Sequence, residues 1–369
     1  MYYPSQRWRE LLTQNFAPKG YVKITCWIAE AGQMLTFTNE DLLSFTHHQS
    51  GCLVSGALPK NYFEFSVDNS HGRWDPGRPA GMERYLSNRL KLLLYYGFEI
   101  DGKVEWLSVG SFVLSEWRTS NNGLEAFFTA RDQLELLIDK PYTGTFDGTL
   151  YEIAEKALTE AKYPLNSGIR IYDELKNYRL DPGDIENDGK YSCAEILQKC
   201  ANAACCIMRP WEGGILIQPH NLNDQGYVMY KHLAYSYPET KFSRPLKEVS
   251  VTYLGGKNVV WQFGGDGETQ TVNNDFIKDK DQAAAVSKWV CDSLRTRKTI
   301  SGEVRGDPRL EVFDVVKVED KYGTVHGVSI TDIKCVFTGS FHISYTGYIR
   351  GSGTAVMVHS GEVYSGEVA

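Results

Sequence analysis

Hydrophobic and polar positions alternate most cleanly in Tyr62-Phe63-Glu64-Phe65-Ser66-Val67. Period two puts Phe63, Phe65 and Val67 on one face of an extended chain and Glu64 and Ser66 on the other, which predicts a half-buried strand. The alternation stops at DNSHGRWDPGRP. There Asp68, Asn69, Gly72, Arg73, Asp75, Pro76, Gly77 and Pro79 predict a long ordered turn, because such residues bond their own backbone or have permissive or fixed φ. An apolar run from Leu90 to Ile100, the pair Asp101-Gly102, and a return through Val104, Trp106, Val109, Phe112 and Leu114 predict a hairpin with a two-residue turn. Trp117 and Arg118 lead to a further turn at Asn121-Asn122-Gly123, and Leu124 to Leu137 closes a compact antiparallel barrel or sandwich.

On the N-terminal side, Trp8, Leu11, Leu12 and Phe16 recur at helical spacing, predicting a short amphipathic helix within Pro4 to Asn15. Tyr21 to Ala29 and Gln33 to Thr38 read as strands. Asn39-Glu40-Asp41 starts a connection toward Phe45, and His47-His48-Gln49-Ser50-Gly51 reads as a surface loop. Adjacent histidines point to opposite sides of an extended chain, poor geometry for one metal.

Beyond a boundary near Pro141 to Gly148 the period changes. Thr149 with Glu152, and Ser192 with Glu195, have capping-box spacing. The faces that follow are Leu150, Ile153, Ala154, Ala157, Leu158 and Ala161, then Ile196, Leu197, Cys200, Ala201 and Ala204, which predict two helices. A polar link through Tyr172, Pro182 and Gly189 separates them. Cys205, Ile207 and Met208 to Trp211, a turn at Gly213-Gly214, and Ile215 to Ile217 predict a hairpin. A third section opens near Thr240. Val249, Val251 and Tyr253 precede Gly255-Gly256, and Val259, Trp261 and Phe263 precede Gly264-Gly265, predicting paired strands. Asp281 to Lys298 reads as a helix with Ala285, Val286, Trp289, Val290 and Leu294 on one face. Lys288, Asp292, Arg295, Arg297 and Lys298 lie elsewhere, the last basic residues suiting the negative end of the dipole. Val304, Asp314 to Val318 and Val325 to Ile343 read as strands around turns at Asp307-Pro308 and Tyr322-Gly323. The SGEV repeat at Ser360 and Ser365 reads as a flexible end.

The expected fold class is mainly β (α+β): a helix and first antiparallel β-barrel in 1–145, an α/β domain in 146–240, and a second barrel with one helix in 241–369. A chain of 369 residues exceeds what one core usually serves. The net charge of −7 leaves no basic footprint for nucleic acid at the whole-chain level. Eight cysteines in apolar surroundings, with no CxxC pair, read as free thiols of a reducing cytoplasm. The N-terminal MYYPSQRWRELL lacks an apolar h-region, so no signal peptide is expected.

The candidate chemistry is thin. Asp68 and Asp75 fail the EF-hand frame, because Val67 falls at the first ligand position when Gly72 is sixth. Arg305-Gly306-Asp307 matches an adhesion tripeptide, but Pro308 follows and a turn is the default. Gly264-Gly265-Asp266-Gly267 lacks a following Lys-Ser or Lys-Thr, so phosphate cradling is not expected. Glu311 with Asp314, or Glu125 with Asp132, serve glycoside hydrolysis only if folding sets them across a cleft. No catalytic, cofactor-binding or metal-binding residues are expected, and no cofactor.

NYFEFSVDNSHGRWDP, GMERYLSNR, YYGFEIDGKVEWLSVGSFVLSEW and LEAFFTARDQLELL, in that order, resemble the N-terminal part of tail hub proteins from phages of Gram-positive bacteria. The pieces at Glu195 to Ala203, KEVSVTY and GDPRLEVFDVVKVED extend the resemblance over most of the chain. Those hubs are similar in fold to baseplate hubs of contractile phages and to the heads of type VI secretion spikes. The resemblance implies a homotrimer whose two barrels per subunit make a ring of six, joining a sixfold tail tube to a threefold tip. A β section at each end of this chain supplies two barrels, and three copies supply six. It further implies a place at the tail tip of a virion after synthesis in the host cytoplasm. The implied partners are the tail tube or distal tail protein ring, the tape measure protein, and tip, fibre or receptor-binding proteins. Phage DNA would pass the lumen without specific binding, and an acidic chain suits that passage. The chain stops near Ala369 with no hydrolase or fibre extension, so wall cleavage is expected from another protein, unless the sequence is an N-terminal fragment. The rival readings are a tail-associated cell-wall hydrolase and a receptor- or sugar-binding module that uses exposed aromatics.

Overall fold

In the computed structural model, which describes residues 5–14, 18–28, 31–78, 82, 86, 90–162, 169–219, 224–229, 231–262, 265–294, 298–349, 355–359 and 362–366, period-two alternation becomes strands. Pro4, Phe16, Ala29, Pro79, Phe263, Gly264, Arg295, Arg297 and Ser360, together with most of GMERYLSNR, lie outside the described residues.

The first section holds β1 (Gly20–Ile28), β2 (Gln33–Phe37), β3 (Leu42–Ser50), β4 (Lys60–Asp68), β5 (Lys91–Ile100), β6 (Lys103–Thr119) and β7 (Glu125–Asp132). They pair antiparallel in the order β3-β4-β7-β6-β5-β1-β2. The helix Gln6–Leu12, capped by Ser5, lays Trp8 edge-on against Phe98 at 4.8 Å. His47 and His48 sit in the middle of β3, not in a surface loop. The burial of Phe45, His47 and Gln49 alternates with Thr46, His48 and Ser50, so two polar residues occupy the positions that an apolar pair would have advertised.

The middle section contains β8 (Gly148–Thr149), helix Leu150–Glu160, β9 (Ile169–Ile171), β10 (Arg179–Leu180), helix Cys193–Ala203, β11 (Cys206–Trp211) and β12 (Gly214–Pro219). Both capping boxes form: the Thr149 and Ser192 hydroxyls accept the amides of Glu152 and Glu195, whose carboxylates accept the amides of the caps. Such caps contribute about 1 kcal/mol each. The hairpin turns at Glu212-Gly213, not Gly213-Gly214, because both residues take positive φ (49° and 75°) and Gly214 already pairs with Trp211.

The remaining strands are β13 (Asp224–Met229), β14 (Glu239–Phe242), β15 (Leu246–Tyr253), β16 (Lys257–Gln262), β17 (Glu268–Asn273), β18 (Lys298–Arg305), β19 (Val315–Glu319), β20 (Val325–Phe337), β21 (Phe341–Ile349), β22 (Ala355–His359) and β23 (Glu362–Gly366). The third long helix, Lys280–Leu294, ends four residues before Lys298, which begins β18. It buries Ala283, Val286, Ser287, Val290 and Cys291, while Ala285 is exposed: the packed stripe is rotated about one position from the expected one. Ser365 lies in β23, which folds back on β22 and through it onto β16, so this stretch is a hairpin and not a flexible end.

β13, β14 and β18–β21 form a second antiparallel lobe with one parallel pair, β13–β19. β3 joins the two lobes by pairing Phe45–Ser50 with Asp332–Phe337 of β20, giving one 13-stranded sheet around one aromatic core. Phe341, from the second lobe, packs edge-on against Tyr96 and Phe98 of the first at 5.0 and 5.3 Å. A separate core groups the middle helices and hairpin with β15–β17 and helix Lys280–Leu294. The cores thus divide the chain differently from 1–145, 146–240 and 241–369: residues 246–291 pack with the α/β section, while β13, β14 and β18–β21 belong to the large sheet and β22–β23 to the sheet of β15–β17.

The α/β section docks on the first lobe through a close backbone approach. β6 carries an extra residue, Val109, between the partners of Leu94 and Tyr95, and Gly110 follows at φ +144°. The Glu212 carbonyl accepts the Ser111 amide at 3.3 Å, and the Gly213 carbonyl accepts the Gln133 amide at 3.1 Å. A Cβ on Gly110 would lie 2.2 Å from the Glu212 carbonyl carbon, and one on Gly213 would lie 2.2 Å from the Ser111 oxygen. Gly213→Ala is expected to lower the denaturation free energy by on the order of 2–4 kcal/mol, from backbone clash added to positive φ. Gly183→Ala, at φ +89° with open space around the new Cβ, should cost only about 1 kcal/mol. Equal urea midpoints for the two variants would contradict the docking.

Candidate functional site

Asn69 organises the long turn after β4. It is buried, accepts the Trp74 amide at 2.8 Å through Oδ1, and donates Nδ2 to Asp75 Oδ1 at 2.7 Å and to the Gly123 carbonyl at 3.0 Å. Its own amide reaches the Leu124 carbonyl and its carbonyl takes the Gly72 amide, so one side chain ties this turn to the turn between β6 and β7. Trp74 is thereby seated on Phe37 and Phe128, with the Arg73 guanidinium 5.0 Å from its ring. Asp68 accepts the Ser70 amide and hydroxyl, which hold its carboxyl below the usual range. Pro76 follows Asp75 in the same turn, and the Asp75 carbonyl accepts the Arg78 amide at 3.4 Å. Asp68 and Asp75 are thus engaged by the turn itself. Among the described residues no group of three or more His, Cys, Asp or Glu side chains is placed to share a metal ion. At the Asp101-Gly102 turn both residues have positive φ (52° and 74°), the twist a two-residue hairpin needs, and Asp101 forms an exposed ion pair with Arg7 of the first helix.

The seam between the lobes is polar. His47 is buried on the core side, its Nδ1 2.6 Å from the Tyr96 hydroxyl and its Nε2 2.7 Å from Asn61 Oδ1. Burial pulls its pKa down to about 4. His48, on the other face, spans from the Tyr62 hydroxyl at 3.2 Å to Asp332 Oδ2 on β20 at 2.8 Å.

The acid pairs separate into two cases. Glu125 and Asp132 stand at opposite ends of β7, about 23 Å apart along an extended strand, beyond any glycosidase geometry. Glu311 and Asp314 are close but face one cation: Arg209 lies 3.7 Å from Glu311 and 3.8 Å from Asp314, and donates to the Val312 carbonyl. Burial pushes Glu311 up to about 7, against the pull of Arg209, and raises Asp314 as well. Asp307 of the Arg-Gly-Asp sequence is fully buried, and accepts Arg309 Nε at 2.6 Å and the Arg309 amide at 3.1 Å. Its carboxylate faces inward. Gly265-Asp266-Gly267 leads into β17, not into a helix. The eight cysteines form no disulfide, six of them are buried, and burial raises the Cys26 thiol to about 11 and the Cys335 thiol to about 12.

Two clefts flank the seam. One, about 530 Å³, is lined by His48, Tyr62, Glu64, Glu116 and Arg131 among others. The other, about 640 Å³, lies between β17, helix Cys193–Ala203 and the segment after β3.

The two titrating groups act in opposite directions. Unfolded His47 takes its proton near 6.5 and folded His47 only near 4, so its contribution to stability is lost as pH falls through that window. Unfolded Glu311 loses its proton near 4.5 and folded Glu311 near 7, so stability is lost as pH rises between them. Urea midpoints from pH 4 to 7.5 should show His47→Gln flattening the acid limb and Glu311→Gln removing the decline toward neutrality. Curves parallel to the parent would contradict each assignment.

No protein-family model matches the chain, and no curated protein matches it. Solved structures do. A tail protein from Neisseria meningitidis MC58 superposes with a TM-score of 0.57 at 13% identity, covering 90% of this chain and 96% of that one. The 43 kDa tail protein of prophage MuSo2 from Shewanella oneidensis gives 0.58 at 13% identity, over 89% and 97%. A prophage tail protein from Listeria monocytogenes EGD-e gives 0.52 at 12% identity, over 88% and 94%. At such identities the likeness establishes the fold: this chain has, over most of its length, the fold of phage tail proteins.

Proposed function

We propose that the protein is the structural hub at the tip of a phage or phage-like tail, working as a homotrimer that joins the sixfold tube to a threefold tip. The observation that carries this reading is the presence of two β lobes in one continuous sheet within one chain. Three copies then present six lobes, and a pseudo-sixfold ring can meet a true sixfold tube while keeping threefold symmetry below it. The extent of the match to tail proteins, about nine-tenths of both chains, supports the same reading.

On this proposal the partners are the tail tube or distal tail ring above, the tape measure protein inside, and tip, fibre or receptor-binding proteins below. Phage DNA passes the lumen, and a net charge of −7 favours passage over sticking. The role is scaffolding, not catalysis: the nearby acid pair is engaged by Arg209, and the other pair lies too far apart.

Light scattering over a range of concentrations is expected to give about three times the chain mass of 41.7 kDa. A monomer both free and on purified tail tubes, or turnover of purified peptidoglycan that is lost on Glu311→Gln, would overturn the reading.

A further inference from the structure

We draw no further inference here: the strongest candidate, the cleft of about 530 Å³ at the start of β4 and the end of β7, sets Lys60 and Arg131 against Glu64 and Glu116, and nothing in the structure shows what covers it.

Discussion

The structure depends on six backbone pairs between β3 and β20. Phe45–Ser50 and Asp332–Phe337 belong to opposite ends of the chain, and their ladder turns two lobes into one sheet. Without it each lobe would expose an edge and the aromatic layer around Tyr96, Phe98 and Phe341 would split, because Phe341 enters the first lobe from the second. The seam also explains the polar groups on it. His47 is admitted to the core because Tyr96 and Asn61 occupy both ring nitrogens, and His48 reaches Asp332 across the join.

What could be read from the sequence was local. The strand at Tyr62–Val67, the Asp101-Gly102 turn and the two capping boxes are each set by residues within a few positions of one another, and all are present. Elements whose residues are justified by distant partners escaped. β3 was hidden because His47 and His48 look like loop residues until Tyr96, Asn61 and Asp332 are beside them. β17 has the polar run Glu268-Thr269-Gln270-Thr271 and takes its strand form from parallel pairing with β15. The Arg-Gly-Asp tripeptide reads as a turn, and nothing in that reading shows that Arg309, two residues on, holds Asp307 in the interior. For the helix Lys280–Leu294 the period was legible but the phase was not. Alanine on either flank of Val286 fits the pattern, and only β15 and β16 decide that Ala283 faces inward.

Contacts of different chemistry hold the α/β section to the large sheet. One is the bare backbone meeting of Gly110 and Ser111 with Glu212-Gly213, which admits no side chain. The other is Arg209, which gathers Glu311, Asp314 and the Val312 carbonyl from the loop between β18 and β19. Both originate on one hairpin, β11–β12, and the helix Cys193–Ala203 adds its own ties to the segment after β3, with Gln198 and Asn202 donating to the Ser55 and Val54 carbonyls.

The seam has a further consequence during synthesis. His48 and Asp332 are 284 residues apart, and at 5–20 residues per second a ribosome needs roughly 15–60 s to make the chain between them. β4 can pair with one side of β3 early, but the other side must wait. For that interval the nascent chain carries an open strand edge, the kind of surface that recruits neighbouring chains on a polysome. Short spacing between ribosomes would favour wrong partners, and a chaperone that shields extended segments would favour the right one, so the yield of this protein depends on how it is translated as well as on how stable it is once made.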